Sequence, residues 1–185
     1  MVKNRVVLAE LKYARIEWER RFLVDRFPRD VVVTQVRRIS DRYIEGTTLR
    51  LRQQSGNDGQ TVFKLTQKLG GKADGARQGL ITSMYLTNVE FSVLAKLPAK
   101  VLTKIRHSVP PFGIDVFDGV LSGLVLAEAE FNSAAEVAAL VLPPFIGHEV
   151  TDDPRFTGGH LVTASRPELE NWLAQHGIRL NSLAD

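Results

Sequence analysis

Apolar and polar residues alternate along much of the chain with a period of two residues. In the segment RIEWERRFLV the residues divide into two sets, with Ile16, Trp18, Arg20 and Phe22 in one and Glu17, Glu19 and Arg21 in the other. A β-strand places successive side chains on opposite faces of its sheet. This segment is therefore predicted to be a strand with one face suited to packing and one charged face.

The same analysis predicts eight strands and three helices. The strands are expected at Tyr13–Val24, Val31–Ile39, Tyr43–Gln53, Thr61–Leu69, Leu80–Thr87, Val101–Val109, Gly113–Phe117 and Leu124–Phe131. The sequence SGNDGQ at 55–60 predicts a hairpin turn, and the glycine-rich residues 70–79 predict a longer connection. Each helix is expected to begin at a capping box, at Thr87, Ser133 and Ser165. The predicted fold class is α+β, one domain built around an antiparallel sheet or barrel.

The charges on the polar strand faces are sorted by strand. The first and last strands carry Glu-x-Glu pairs, at Glu17 and Glu19 and at Glu128 and Glu130. The strands between them carry cations on the corresponding faces, namely Arg50, Arg52, Lys64, Lys68, Lys104 and Arg106. A sheet with one face in water would also alternate, but such faces commonly mix charge types within a strand. The sorting therefore favours a functional surface.

Composition narrows the classes of function. The chain has 185 residues, enough for one domain, and no cysteine, which excludes disulfides and zinc–thiolate sites. The N-terminal sequence is too charged for a secretory signal, and no apolar run approaches the ~20 residues of a membrane span. We therefore expect a cytoplasmic protein with no membrane partner. The formal net charge is +3, and a cluster of arginines and lysines in the first half favours an anionic partner, either nucleic acid or a phosphorylated small molecule.

A closed barrel would account for the sorted charges. If the apolar strand faces point outward under the three helices, the charged faces line the interior. Unpaired buried charge is costly, so such an interior requires ligands for both signs. Carboxylates suit Mg²⁺ or Mn²⁺, and the arginines and lysines suit a polyanion. A complex of metal and polyphosphate satisfies both sets of charges.

Several motifs resemble one known family. The segment IEWERRFLV resembles the Glu-x-Glu-x-Lys signature that opens the CYTH domain of the triphosphate tunnel metalloenzyme superfamily. Further similar segments follow in the same order along the chain: TTLRLR, FKL, TKIR, IDVFDGVLSGLVLAEAEF and FIGHEVTDDPRF. Together they extend from Arg15 to about Leu161, and residues 1–185 are interpreted as a single CYTH-like domain.

The resemblance implies an eight-stranded antiparallel tunnel that binds triphosphate with Mg²⁺ or Mn²⁺. By matching positions, the implied metal ligands are Glu17, Glu19, Asp115, Glu128 and Glu130. The implied substrate-binding residues are Arg21, Arg50, Arg52, Lys64, Lys68, Lys104 and Arg106, of which Arg21, Lys64 and Lys104 are the candidate catalytic residues. The expected activity is metal-dependent hydrolysis of a linear triphosphate, with inorganic tripolyphosphate as the first choice of substrate. A homodimer is a possible assembly for such a domain.

The sequence departs from the family pattern at three places. Arg21 stands where the family has lysine, GLITSMYLT carries no charged residue, and RFTGG has glycine in place of asparagine. Other functions therefore remain open: a non-catalytic module that binds polyphosphate or nucleotides, a thiamine triphosphatase, or a class IV-type adenylate cyclase. An RNA-binding barrel is a further alternative. The Glu-x-Glu pairs argue against it and against a nucleic-acid partner.

Overall fold

Eight antiparallel strands form a closed barrel. The computed structural model describes residues 12–69 and 77–180. The strands are β1 (Arg15–Leu23), β2 (Gln35–Ile44), β3 (Leu49–Gly56), β4 (Thr61–Leu69), β5 (Arg77–Leu86), β6 (Ala99–Val109), β7 (Phe112–Phe117) and β8 (Val125–Phe131). Their order around the barrel is β1-β5-β4-β3-β2-β6-β7-β8, and β8 pairs with β1. The predicted fold class is confirmed.

The strand boundaries agree with the sequence patterns except around β2. The sequence predicted strands at Val31–Ile39 and Tyr43–Gln53, whereas the structure has one strand through residues 40–42 and a turn at 45–48. Gly46 has φ +70° in this turn, a conformation that favours glycine. The prediction was wrong here because the segment VRRISDRYI does not alternate cleanly. The connection predicted at 70–79 lies largely outside the described residues, and its last three residues belong to β5.

The described part of the chain has four α-helices, at α1 (Asn88–Leu94), α2 (Ala134–Ala138), α3 (Gly158–Leu161) and α4 (Arg166–Ala174). The predicted capping box at Thr87 is complete, because Glu90 accepts from the Thr87 backbone while the Thr87 hydroxyl accepts from the Glu90 N–H. At Ser133 only half of the predicted box forms. The Glu136 carboxylate instead accepts from the backbone N–H of Asn132. Among the described helices, each is too short or too polar to cross a lipid bilayer.

The inward faces of the strands change from charged to apolar toward one end of the barrel. Glu128 in β8 is followed on its face by Leu126, and Arg21 in β1 by Leu23, and the register pairs Arg21 with Glu128 and Leu23 with Leu126. The apolar layer continues into the C-terminal segment through Phe156, Leu161, Leu169 and Leu173, all of them buried. Helix α4 therefore packs at this end of the barrel and seals the apolar layer from water.

Loops cover the outer wall of β1, β7 and β8, a role that the sequence assigned to the helices. A second core cluster contains the outward-facing Phe22, Phe112 and Ile114. Loop residues after β1 and after α2 pack against this cluster, namely Phe27, Val31, Val33, Leu140, Phe145 and Ile146. Helices α1 and α2 themselves contain no buried residue. The barrel wall therefore has one apolar cluster inside it, at the end covered by α4, and a second outside β1, β7 and β8. The charged residues line the rest of the interior.

Candidate functional site

A cavity of about 430 Å³ lies within the barrel, and its wall is made by the charged faces of the strands. Every predicted site residue lines this cavity except Asp115. These residues are Glu17, Glu19 and Arg21 of β1, Arg50 and Arg52 of β3, Lys64 and Lys68 of β4, Lys104 and Arg106 of β6, and Glu128 and Glu130 of β8. They converge because each occupies an alternate position of its strand and closure turns all these positions inward.

Arg21 lies between two carboxylates of the cavity. Its Nη2 donates to Glu19, and its Nε donates to Glu128 at 3.1 Å. Both Arg21 and Glu19 are 4% exposed, so these contacts form in a poorly hydrated environment. Nη1 of Arg21 is also buried and has no hydrogen-bond partner among the described residues. The hydrogen-bonding capacity of this guanidinium is therefore only partly used.

The chain of ion pairs continues from Glu128 to Arg106, Asp115 and Lys104. Nη2 of Arg106 donates to Glu128, and Arg106 also binds Asp115 with two hydrogen bonds of 2.6 Å. Lys104 donates to the same Asp115 carboxylate. Asp115 is completely buried and lies opposite the inward-facing Arg106 in the register, so it holds the two cations inside the barrel without lining the cavity. Its assignment as a metal ligand stays a prediction, and its contacts favour a role in positioning Lys104 and Arg106.

The two buried glutamates respond differently to these surroundings. Burial and the negative charge of Glu128 raise the pKa of Glu19 above its ordinary value, although Arg21 opposes the change. Burial also disfavours the ionised form of Glu128. Lys104, Arg106 and Arg21 together outweigh that penalty and hold the pKa of Glu128 well below its ordinary value. Glu128 is therefore a stable anion, while Glu19 needs a further positive charge to be equally so.

A second buried aspartate, Asp41 of β2, holds cations of the neighbouring strand β3. Arg52 donates to its two oxygens at 2.6 and 2.7 Å, and Nε of Arg50 lies 3.7 Å from one of them. Burial opposes the charge on Asp41, but Arg52 and Arg50 lower its pKa to about 2. Nε of Arg50 is buried and has no hydrogen-bond partner within residues 12–69 and 77–180. Sequence reasoning missed Asp41 because it falls between the two strands predicted for this region.

The remaining cavity residues are less constrained. Lys68 forms an ion pair with Glu17 at 2.8 Å. Nζ of Lys64 lies 5.3 Å from the centre of the Tyr85 ring, and burial together with Arg52 and Arg50 lowers the pKa of Lys64. Among the described residues, eight cationic side chains line the cavity against four carboxylates, and Asp41 and Asp115 are buried beside these cations without lining the cavity. The excess of positive charge favours an anionic ligand.

The C-terminal segment contributes the wall at residues 157–159, which sequence reasoning did not assign to the site. Thr157, Gly158 and Gly159 line the cavity together with Tyr43 of β2. A Cβ atom at Gly158 would lie 2.0 Å from the Tyr43 hydroxyl, so no larger residue fits without displacing that ring. Burial and the Asp41 charge raise the pKa of Tyr43 to about 12, which keeps the phenol protonated. The adjacent glycines in RFTGG were the only sequence signal of this close approach.

Comparison with known proteins adds independent information. The chain is 36% identical over 149 residues to an inorganic triphosphatase from Nitrosomonas europaea, an alignment that covers 76% of this chain and 92% of the relative. The chain belongs to the family of this inorganic triphosphatase. No family model matches the sequence.

Two crystal structures are similar in fold to this chain. The inorganic triphosphatase NE1496 is 27% identical, with a TM-score of 0.52, and the match covers 80% of this chain and 95% of that structure. A second structure, of the hypothetical protein NE1496, is 29% identical with the same TM-score and covers 80% of this chain and 99% of that one.

The donor set of the cavity fits a hard divalent cation, although it is not yet arranged around one. Glu17, Glu19, Glu128 and Glu130 offer only oxygen ligands, as Mg²⁺ and Mn²⁺ prefer. Burial, and after it the charge of Glu128, raise the pKa of Glu19, and a bound cation would favour its ionised form. Within residues 12–69 and 77–180, however, no three acidic or histidine side chains are gathered as a metal site. Arg21, Arg106 and Lys68 are bound to three of these carboxylates instead.

Proposed function

We propose that this protein is a metal-dependent triphosphatase of the CYTH type, that its substrate is inorganic tripolyphosphate, and that hydrolysis takes place in the barrel cavity. The observation that carries the proposal is the convergence of cationic and acidic strand faces in one enclosed space. The 36% identity to a protein named inorganic triphosphatase supports the same substrate. Linear triphosphate is a compact polyanion. Cations from several strands line a single cavity in which such an anion would bind.

The cations of the cavity bind and orient the phosphate chain. Arg52, Lys104 and Arg106 are each fixed by a buried aspartate, so their free donors are directed before the ligand arrives. Such preorganisation lowers the entropic cost of aligning a substrate for attack. Arg21 and Arg50 each have a buried N–H group without a partner, and a phosphate oxygen would satisfy both.

Glu17, Glu19, Glu128 and Glu130 would hold Mg²⁺ or Mn²⁺. A bound divalent cation neutralises charge on phosphate oxygens and lowers the pKa of a coordinated water. Asp115 is a weaker candidate ligand, since its two oxygens already accept from Arg106 and Lys104. The acidic residues thus serve the metal and the basic residues serve the phosphates, as the sorting of charges by strand suggests.

Lys64 is the side chain best suited to move a proton. Its pKa is lowered by burial and by the nearby arginines, so its ammonium releases a proton from Nζ more readily than an ordinary lysine does. Lys104, bound to Asp115, remains a charged group that stabilises negative charge on the transferring phosphoryl group. Arg21 completes the set of proposed catalytic residues.

Release of phosphate from tripolyphosphate, measured with Mg²⁺ and with Mn²⁺, tests the proposal. Glu19→Gln and Glu130→Gln should each abolish turnover while the protein remains folded, because each removes a ligand charge without changing side-chain size. Glu149→Gln is the matched control, since Glu149 pairs with Arg20 on the outer side of β1. Full activity in either cavity variant would refute the metal-site assignment.

A non-catalytic polyphosphate-binding module is the second candidate function. The observation in its favour is that Arg21 already neutralises Glu19 and Glu128. A binder of this kind would gain stability from tripolyphosphate without consuming it. Assays with ATP and thiamine triphosphate beside tripolyphosphate also distinguish the proposed activity from those of a cyclase and a thiamine triphosphatase.

A further inference from the structure

Arg21 occupies the place between Glu19 and Glu128 where a metal ion would be bound. Glu19 lies two residues before Arg21 on β1, and Glu128 faces Arg21 directly across the β1–β8 pair. The guanidinium donates to both carboxylates, through Nη2 and Nε. The two proposed metal ligands on this side of the cavity therefore have a cation of the protein's own between them.

This internal cation cannot withdraw by losing its charge. An arginine side chain remains protonated in proteins, and the two carboxylates raise the pKa of Arg21 further despite its burial. Because Arg21 is tethered two residues from Glu19, its local concentration is high and constant. A divalent cation from solution must displace it from both carboxylates, and displacement leaves a buried guanidinium without partners, which is costly.

A polyanion would change this balance. Nη1 of Arg21 is buried and without a partner, and Arg21 lines the same cavity as Arg50, Arg52 and Arg106. A phosphate bound among these residues offers the guanidinium another set of anionic oxygens. The guanidinium could then leave Glu19 and Glu128 without losing its hydrogen bonds.

We propose that Arg21 is a built-in counter-ion that makes divalent-cation binding depend on a bound polyanion. In the free protein Arg21 neutralises Glu19 and Glu128 and keeps metal affinity low. When phosphate groups occupy the cavity, Arg21 turns to them and releases Glu19 and one oxygen of Glu128 to the metal, while Arg106 keeps its bond to the other oxygen of Glu128. Metal and polyanion therefore bind cooperatively, and each raises the affinity of the protein for the other. The inference rests on the proposed function in taking Glu19 and Glu128 as metal ligands.

Direct binding of Mn²⁺ to the full chain, followed by the loss of the free-ion electron paramagnetic resonance signal, tests this without turnover. In the absence of any phosphate, Arg21→Met should bind Mn²⁺ at least about tenfold more tightly than the wild type, because a positive charge close to the ion is removed. Arg21→Lys should fall between them. Arg20→Met is the matched control: Arg20 is adjacent but pairs with Glu149 outside the cavity, so its loss should leave Mn²⁺ affinity unchanged.

A second measurement uses sulfate, a tetrahedral anion that complexes Mn²⁺ only weakly. Sulfate should raise the Mn²⁺ affinity of the wild type and have little effect in Arg21→Met. Arg21→Met removes the cation between Glu19 and Glu128, so a thermal melt of each variant accompanies the titrations. If Arg21→Met does not fold, the sulfate dependence of the wild type decides alone.

Equal Mn²⁺ affinity in the wild type and in folded Arg21→Met overturns the proposal. A wild-type affinity that does not respond to sulfate overturns it as well. If instead no folded variant binds Mn²⁺ under any condition, the metal site of the proposed function fails together with the counter-ion. Tight Mn²⁺ binding by the wild type without sulfate removes only the counter-ion and leaves the proposed function intact.

Discussion

Two buried aspartates determine where the cavity's strongest cations point. Asp115 accepts from Lys104 and Arg106, and Asp41 accepts from Arg52 with Arg50 nearby. Neither carboxylate is more than 1% exposed, so each is in contact with its cations and not with water. A guanidinium held at two points by a carboxylate keeps a fixed plane, which directs its other N–H groups. The arrangement of these basic side chains is therefore fixed before any ligand binds.

Asp41→Asn should lower the free energy of unfolding at pH 7 by about 2–3 kcal/mol, because Arg52 would remain buried without its carboxylate. The pKa of Asp41 is lowered from 3.8 to about 2 in the folded protein, so its contribution is fully present above pH 3.8 and disappears as the pH falls toward 2. The difference between wild type and variant should thus stay constant from pH 7 to about 5 and narrow below about pH 4. Urea unfolding across this range measures it.

Asp152→Asn provides the control, since Asp152 is exposed. It should match the wild type at every pH. A difference for Asp41→Asn that widens as the pH falls toward 3 would contradict the assignment of a low pKa to Asp41.

At the level of single elements, alternation explains most of the site. In β1, β4, β6 and β8 every second residue points inward, and the predicted cavity residues of these strands all do so. Cross-strand register then places Arg21 opposite Glu128 and Glu19 opposite Glu130. A two-residue period is a local property of the chain, which is why sequence alone could predict which side chains share a face.

Other parts of the site depend on contacts that no local pattern contains. Asp41 lies in a stretch of β2 where arginines occupy both faces, so the alternation is obscured. Tyr43 and Gly158 meet across a large separation in sequence, and only the folded chain brings them together. The ion pairs that Arg21 forms with Glu19 and Glu128 also depend on side-chain conformation. Sequence therefore predicted the barrel and the members of the site, but not the order in which their charges pair.

The segment at the start of α3 has a strict requirement for glycine at one of two adjacent positions. Gly158→Ala would place a Cβ atom 2.0 Å from the Tyr43 hydroxyl oxygen, so the ring or the segment must move. We expect a loss of about 1–3 kcal/mol in the free energy of unfolding, typical of overpacking, together with a higher KM for tripolyphosphate. Urea unfolding and steady-state kinetics measure the two effects.

Gly159→Ala is the matched control, because a Cβ atom there meets no atom within 4 Å. Its stability should equal or slightly exceed that of the wild type, since alanine favours a helix over glycine. Adding Tyr43→Phe to Gly158→Ala removes the clashing oxygen and should recover part of the lost stability. Equal effects at the two glycines would show that Tyr43 does not lie against Gly158.

On the scale of the whole molecule, the excess of cations in the cavity couples folding to ligand binding. Folding brings positive side chains from several strands into one enclosed space, and only part of their charge is neutralised by carboxylates of the described chain. Unfolding separates these charges again. An anion that fills the cavity therefore binds the folded protein far better than the unfolded chain and stabilises it.

Tripolyphosphate with Mg²⁺ should raise the melting temperature by about 5–10 °C at a ligand concentration a hundred times Kd, because such saturation adds about 2.7 kcal/mol and each kcal/mol shifts a domain of this size by about 2–4 °C. Differential scanning fluorimetry measures the shift. Sodium chloride at equal ionic strength controls for screening and should produce a much smaller change. An unchanged melting temperature at millimolar ligand would mean that the cavity does not receive polyphosphate.

The closure of the barrel also limits how copies of the molecule can associate. Each of the eight described strands has a neighbour on both sides along part of its length, although residues 82–86 of β5 pair with β4 alone. Edge-to-edge strand addition, the route by which many open sheets aggregate, is thereby limited to short stretches of strand. If two copies form a dimer through side chains, the dimer should dissociate without any change in amide hydrogen exchange along the strands.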